Sequence, residues 1–182
     1  MELFWLQGYE STSINDLTSA MGITAPSLYA AFGDKESLYL ESVERYKSGL
    51  GNSGHILAGE VTARAAIERL LEASAIELTN TSDHPPGCMV VASAINGSPE
   101  SAHLQAALRG CRVEAEARIT AKIKRGVRNG ELHPGTNAAA LAKFYMTVMQ
   151  GMTIQARDGA TQEELLTVAR AAMLQWPTFA RK

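Results

Sequence analysis

Lys35 is the residue whose position first asks for a chemical reason. It follows Gly33-Asp34, where Asp34 caps a new helix, so its ammonium sits in a first helical turn. A cation there opposes the helix dipole by roughly 0.3–1 kcal/mol. The same place suits a phosphate, because a positive side chain stands beside free backbone N–H groups. The plain alternative is a solvated lysine paired with Glu36. Other reactive side chains are scattered. His55, His84, His103 and His133 form no HExxH pattern, and the chain has no CxxC and no nucleophile elbow. Each histidine reads as a surface or capping residue; no catalytic group, metal site or cofactor is expected. Cys88 and Cys111 stand in apolar or helical contexts, where cysteine is usually inert packing.

The elements around Lys35 are legible from caps and stops. Ser13 and Asp16 fit a capping box, with Ile14, Leu17 and Met21 on one face of a short helix. Gly22 suits a left-handed stop. Thr24 can cap the next helix, Ile23 and Leu28 have staple spacing, and Pro26 lies in the first turn. Leu28 and Phe32 form its buried side, Ser27 and Tyr29 point elsewhere, and Gly33 ends it. Two short capped helices joined by a tight glycine turn, with a third following at once, is the grammar of a helix-turn-helix.

Composition bounds the rest. The 182 residues are 46 % hydrophobic with net charge −2, which describes a globular chain. No run is long and apolar enough to span a membrane, and the start carries no basic n-region or cleavage site. A cytoplasmic protein with reduced thiols is expected. Charge argues against nucleic acid: the first fifty residues hold three basic against seven acidic side chains, a net −4. Phosphate neutralisation supplies most non-specific affinity for DNA.

Helical periodicity continues to the end without a convincing strand, so the fold class is all-α. Residues 35–48 read as a longer helix with Leu38, Val43 and Tyr46 inward. Gly-rich residues 49–59 read as a joint, dividing the chain into domains 1–48 and 49–182. Val61–Thr79 reads as a helix and Thr81–Gly87 as a loop. Cys88–Asn96 reads as a short buried segment, and Ser98-Pro99 opens a long helix that stops at Asn129-Gly130. Lys122, Lys124, Arg125 and Arg128 near its end read as a solvated helix terminus. A further helix runs from Thr136 or Asn137 to Asp158-Gly159. The last starts at the capping box of Thr161 and Glu164 and runs to Trp176-Pro177. Leu141, Tyr145, Val148 and Met152 form one stripe, and Leu165, Ala169, Ala172 and Trp176 another. Phe144, Met149, Leu166 and Met173 lie off these stripes, so both helices are apolar over more than one face. A homodimer through residues 136–176 follows, helped by small Ala142, Gly151, Ala171 and Ala172.

The combined pattern of residues 3–14, 16–23 and 27–38 resembles the TetR family of bacterial transcriptional regulators. Beyond residue 45 the likeness rests on helix number, on Gly87-Cys88 before a short apolar helix, and on residues 155–159 ending the penultimate helix. The resemblance implies a three-helix DNA-binding domain on an all-α ligand-binding and dimerisation bundle. It implies a homodimeric regulator, usually a repressor, released from a pseudo-palindromic double-stranded operator by a small molecule. Residues 24–30 would then be the recognition helix, with Thr24, Ala25, Pro26 and Ser27 at base edges. Tyr29, Lys35 and Ser13 would meet phosphates. No Arg, Lys, Asn or Gln lies in 24–30, so base readout would be modest beside phosphate contacts and DNA shape. The family's first helix usually begins some ten residues upstream, so the N-terminus is expected to be shortened. The implied pocket lies among the middle helices and the 136–158 helix, with Met89, Phe144, Tyr145, Met149 and Met152 as candidate lining; such residues at helical spacing are more often plain core. Two other functions fit the chain: an all-α small-molecule binder or enzyme that does not act on DNA, and a thiol-sensing variant of the regulator.

Overall fold

Ser13, Gly22, Thr24, Gly33 and Asp34 punctuate the N-terminal helices as their types predict. The computed structural model describes residues 1–49, 51, 54–93 and 98–177. Helix α1 (Glu2–Ser11) is broken at Gly8, whose φ of 80° and ψ of 174° only glycine adopts readily. Buried Thr12 steadies the break by donating its hydroxyl to Gly8 O at 2.7 Å. Helix α2 (Ile14–Met21) opens on the expected capping box: Asp16 N donates to Ser13 Oγ, and Ser13 N to the Asp16 carboxylate at 2.9 Å. Gly22 ends it in the left-handed region, φ 64°. Helix α3 (Ala25–Phe32) is capped by Thr24 and stopped by Gly33. Helix α4 (Lys35–Ser48) is capped by Asp34, whose carboxylate accepts from Ser37 N at 2.7 Å.

The second unit comprises α5 (Gly54–Gly59), α6 (Ala63–Thr79), α7 (Met89–Ala92), a 3-10 turn (Pro99–Ser101), α8 (Ala102–Arg128), α9 (Ala138–Arg157) and α10 (Gln162–Met173). No strand occurs among the described residues. Several expectations are corrected. Part of the 49–59 joint is the helix α5, formed because Leu57 buries against the body; Leu50, Asn52 and Ser53 lie outside the described residues. Helix α6 starts at Ala63, not Val61, since Thr62 caps it and Val61 is 87 % exposed. Glu131, far along the chain, adds a second cap by accepting from Ala63 N and Arg64 N, both at 2.7 Å. The long helix opens through the 3-10 turn, with Ser98 capping at Ser101. Lys122 is no solvated terminus: it is buried and donates to Glu60 O. Helix α10 stops at Met173, short of Trp176. The apolar 88–96 segment is helical at Met89–Ala92; residues 94–97 lie outside the described part, as do 178–182.

Helices α6, α8, α9 and α10 enclose one core around Ile67, Leu71, Ile123, Tyr145 and Leu165. The helix-turn-helix unit has a second core, which is not its own alone. Phe4, Trp5, Leu17, Leu28 and Tyr39 pack in the same cluster as Met89, Val90, Leu104 and Leu108 of α7 and α8. Polar ties cross the same seam. Arg157, at the end of α9, donates to Trp5 O at 3.3 Å and Leu6 O at 3.1 Å. Ser98 N donates to Glu10, and Glu36 meets His103 Nε2 at 2.8 Å.

Candidate nucleic-acid face and small-molecule cavity

Leu28 is fully buried and fixes α3 against the rest of its unit. That leaves Thr24, Pro26, Ser27 and Tyr29 exposed on the opposite face, with Ala25 half-buried and Ser13 exposed at the start of α2. Thr24 Oγ1 and Ser27 Oγ lie 3.0 Å apart and share a hydrogen bond, so the hydroxyls form one polar pair. Tyr29 and Lys35 border a shallow hollow of about 400 Å3, along with Tyr9 and Ile14.

Lys35 is not the solvated partner of Glu36. Its ammonium donates to Tyr9 O at 2.9 Å and Thr12 O at 3.0 Å, and lies 4.2 Å from the centre of the Tyr9 ring. Unfavourable at the start of α4, the cation is well placed at the carbonyl end of α1. An ammonium has three donors, so one N–H has no carbonyl acceptor among the described residues. Glu36 and Asp34 also border the hollow, with the Glu36 carboxylate engaged by His103.

The acidic balance of the unit also acquires a structural account. Asp16 and Asp34 cap helices, and hydrogen bonds from Ser13 and Ser37 hold both carboxyls below their ordinary value. Glu10 is lowered in the same way by Ser101 and Ser98. With Glu36 on His103 and Glu44 on Lys47, five of the seven acidic groups are engaged by the protein's own donors.

The cavity lies under this unit. About 790 Å3 in volume, it is walled by α4 (Tyr46, Lys47), α6 (Leu70, Glu77), α8 (Arg112, Ile119) and α9 (Met146, Met149), with contributions from α5 and α7. That volume suits a small organic ligand. Of the five residues expected to line a pocket, only Met149 does so. Met89, Tyr145 and Met152 are closed into packed core, and Phe144 is 38 % exposed. The Tyr145 hydroxyl is buried and finds no partner among the described residues, and burial pushes its pKa up to about 12. Helical periodicity identified inward positions on α9 but could not separate core from cavity wall.

Sequence reasoning missed the residues joining cavity to helix-turn-helix. Tyr46 lines the cavity and packs edge-on against Trp5, ring centres 4.9 Å apart. His84, expected at a surface, has a side chain only 1 % exposed. It stacks on the other side-chain neighbour of this cluster, Trp5, at 4.7 Å and 11°. Its ring nitrogens meet Pro85 O at 2.8 Å and Glu77 Oε1 at 3.0 Å, and Glu77 reaches the cavity wall. No sequence signal marks these contacts, which join residues far apart in the chain. Both cysteines are free thiols, and both line the cavity. Among the described residues no three His, Cys, Asp or Glu side chains cluster to hold a metal.

Comparison with known proteins agrees with this architecture. Residues 1–42 match the family described as bacterial regulatory proteins, tetR family, and residues 66–173 match the tetracyclin repressor-like C-terminal domain. The chain is 31 % identical over 183 residues to the HTH-type transcriptional repressor ComR of Escherichia coli K12, covering 100 % of this chain and 87 % of that protein. It is 29 % identical to the E. coli repressor BdcR, covering 93 % and 81 %. A cysteine mutant of the TetR-family regulator CifR, solved with 26-base-pair operator DNA, superposes with a TM-score of 0.93 at 38 % identity, covering 97 % of this chain and 92 % of that one.

Proposed function

This chain belongs to the TetR family of bacterial regulators, and from that premise we propose that it is a homodimeric transcriptional repressor released from operator DNA by a small molecule. The observation that carries the reading is the exposed face of α3, held by Leu28, on a unit whose α4 also walls the cavity, with Tyr46 both in that wall and in the core that holds Leu28. Residues 1–48 read DNA and 49–182 bind ligand and partner. Thr24, Ala25, Pro26 and Ser27 enter the major groove with hydroxyl and methyl contacts only, so discrimination leans on DNA shape. Ser13, Tyr29 and the remaining N–H of Lys35 meet phosphates. Two protomers join through the outward faces of α9 and α10, where Phe144, Gly151, Val168 and Leu174 are exposed. The dimer places its half-sites about one helical turn apart or a multiple of it. The protein works in the cytoplasm and turns over no substrate.

A gel shift of the full-length protein against its own upstream region tests this. Saturable binding to one pseudo-palindrome, surviving excess non-specific DNA, supports it. No preference for any fragment refutes it. A second reading, thiol sensing, is favoured by both cysteines lining one cavity. It predicts that oxidant loses its effect on DNA binding in a Cys88→Ser, Cys111→Ser double variant; an unchanged oxidant effect refutes it.

A further inference from the structure

The cavity wall carries three carboxylates (Glu44, Glu77, Glu114) and three cations (Lys47, Arg112, Arg118), but they do not pair off one to one. Each carboxylate has a cationic or imidazole partner. Glu44 pairs with Lys47 at 2.7 Å, Glu114 with Arg118 at 2.6 Å, and Glu77 with His84 at 3.0 Å. Arg112 is the remaining cation. Its Nη1 donates to Val90 O, another wall residue, at 3.3 Å, and among the described residues no carboxylate lies within 4.0 Å of it. All Asp and Glu side chains of the sequence fall within the described residues. Leu70, Leu78, Ile119, Met146 and Met149 make the neighbouring wall apolar.

We infer that the cavity takes a small apolar molecule bearing one carboxylate, with the carboxylate on Arg112 and the apolar body against Leu70, Ile119, Met146 and Met149. A guanidinium has five N–H donors in a fork that matches a carboxylate in two parallel bonds. A neutral ligand filling the cavity would strip water from Arg112 and leave its charge uncompensated, which is costly. A cationic ligand would add like charge to the same space. A dianionic phosphate would exceed the single charge of Arg112. One carboxylate matches it.

The inference rests on the reading of this cavity as the effector site, and the test separates the two. Octanoate, octanol and octylamine share one chain and differ in head group. Calorimetric titration of the full-length protein is expected to show octanoate binding about tenfold or more tightly than octanol, with octylamine weakest. In Arg112→Gln, octanoate should lose about tenfold in affinity while octanol is unchanged. Arg112→Lys keeps the charge and loses the fork, so octanoate should weaken but stay ahead of octanol. This variant serves if the glutamine protein does not fold. Octanol or octylamine binding as well as octanoate, no octanoate binding, or affinity for octanoate indifferent to residue 112 would each overturn the inference. Fluorescence anisotropy on operator DNA reads the other question. Octanoate held through Arg112 without DNA release upholds the carboxylate site and refutes effector release. Release by uncharged compounds alone does the reverse.

Discussion

Replacing Lys35 by methionine keeps most of the apolar stem and removes the ammonium. Two carbonyls, Tyr9 O and Thr12 O, then lose donors now at 2.9 and 3.0 Å, and Thr12 is fully buried. Hydrogen bonds to a charged group contribute about 1.5–3 kcal/mol when well shielded; half-exposure of the lysine reduces this to about 1 kcal/mol each. Loss of the cation over the Tyr9 ring adds about 0.5 kcal/mol. Relief of the unfavourable dipole at the start of α4 returns about 0.3 kcal/mol or more. The net destabilisation is about 2 kcal/mol, a fall in melting temperature of about 4–8 °C for a chain of this size. Far-UV circular dichroism without DNA, at one fixed protein concentration, reads it. A shift below about 2 °C would refute the role of Lys35 as a cap on α1. The same variant should lower the slope of log affinity against log salt by about 0.9, one phosphate contact. A lost melting temperature with an unchanged slope would show that all three donors serve the protein and none the DNA.

Three further outcomes are expected. Asp16 is held below its ordinary value by Ser13, so its contribution to stability is complete at neutral pH and lost as pH falls through its lowered value. The melting-temperature gap between the native protein and Asp16→Asn should therefore shrink as pH falls below the ordinary aspartate range of about 4, and a gap constant with pH would refute the assignment. Gly151 has no heavy atom within 4 Å of where a Cβ would stand, so Gly151→Arg fits the single chain but obstructs a partner on α9. Light scattering should show the mass halved and the gel shift lost; an intact dimer places the interface elsewhere. Arg157→Ala removes the bonds to Trp5 O and Leu6 O, so hydrogen exchange should quicken in α1 and stay unchanged in α6. Unchanged exchange in α1 would make the tether idle.

What could be read in the sequence was local. Ser13 with Asp16, Gly22, Thr24, Gly33 and Asp34 each act within one turn of chain, so their types sufficed to place α2, α3 and the start of α4. The stripes of α9 and α10 gave inward positions for the same reason. The rest depends on partners that spacing does not encode. Lys35 reaches back 26 residues to Tyr9, and Glu131 caps α6 across 68 residues. Lys122 is indistinguishable in sequence from its solvated neighbours until Glu60 O is found beneath it. The candidate DNA face was legible because it is one exposed side of one short helix. The cavity was not, because six helices contribute its wall and Met149 differs from Met152 only in which side of that wall it faces.

The shared core of the N-terminal helices has a consequence for engineering. Met89, Val90, Leu104 and Leu108 complete the packing around Phe4, Trp5 and Leu28. A chimera that transplanted residues 1–48 onto a foreign body would carry an apolar interior with part of its wall missing. The workable graft takes α7 and the first turns of α8 along with the head. Sequence drift meets the same restriction: a change at Leu104 or Leu108 alters the packing that holds Phe4, Trp5 and Leu28 in place.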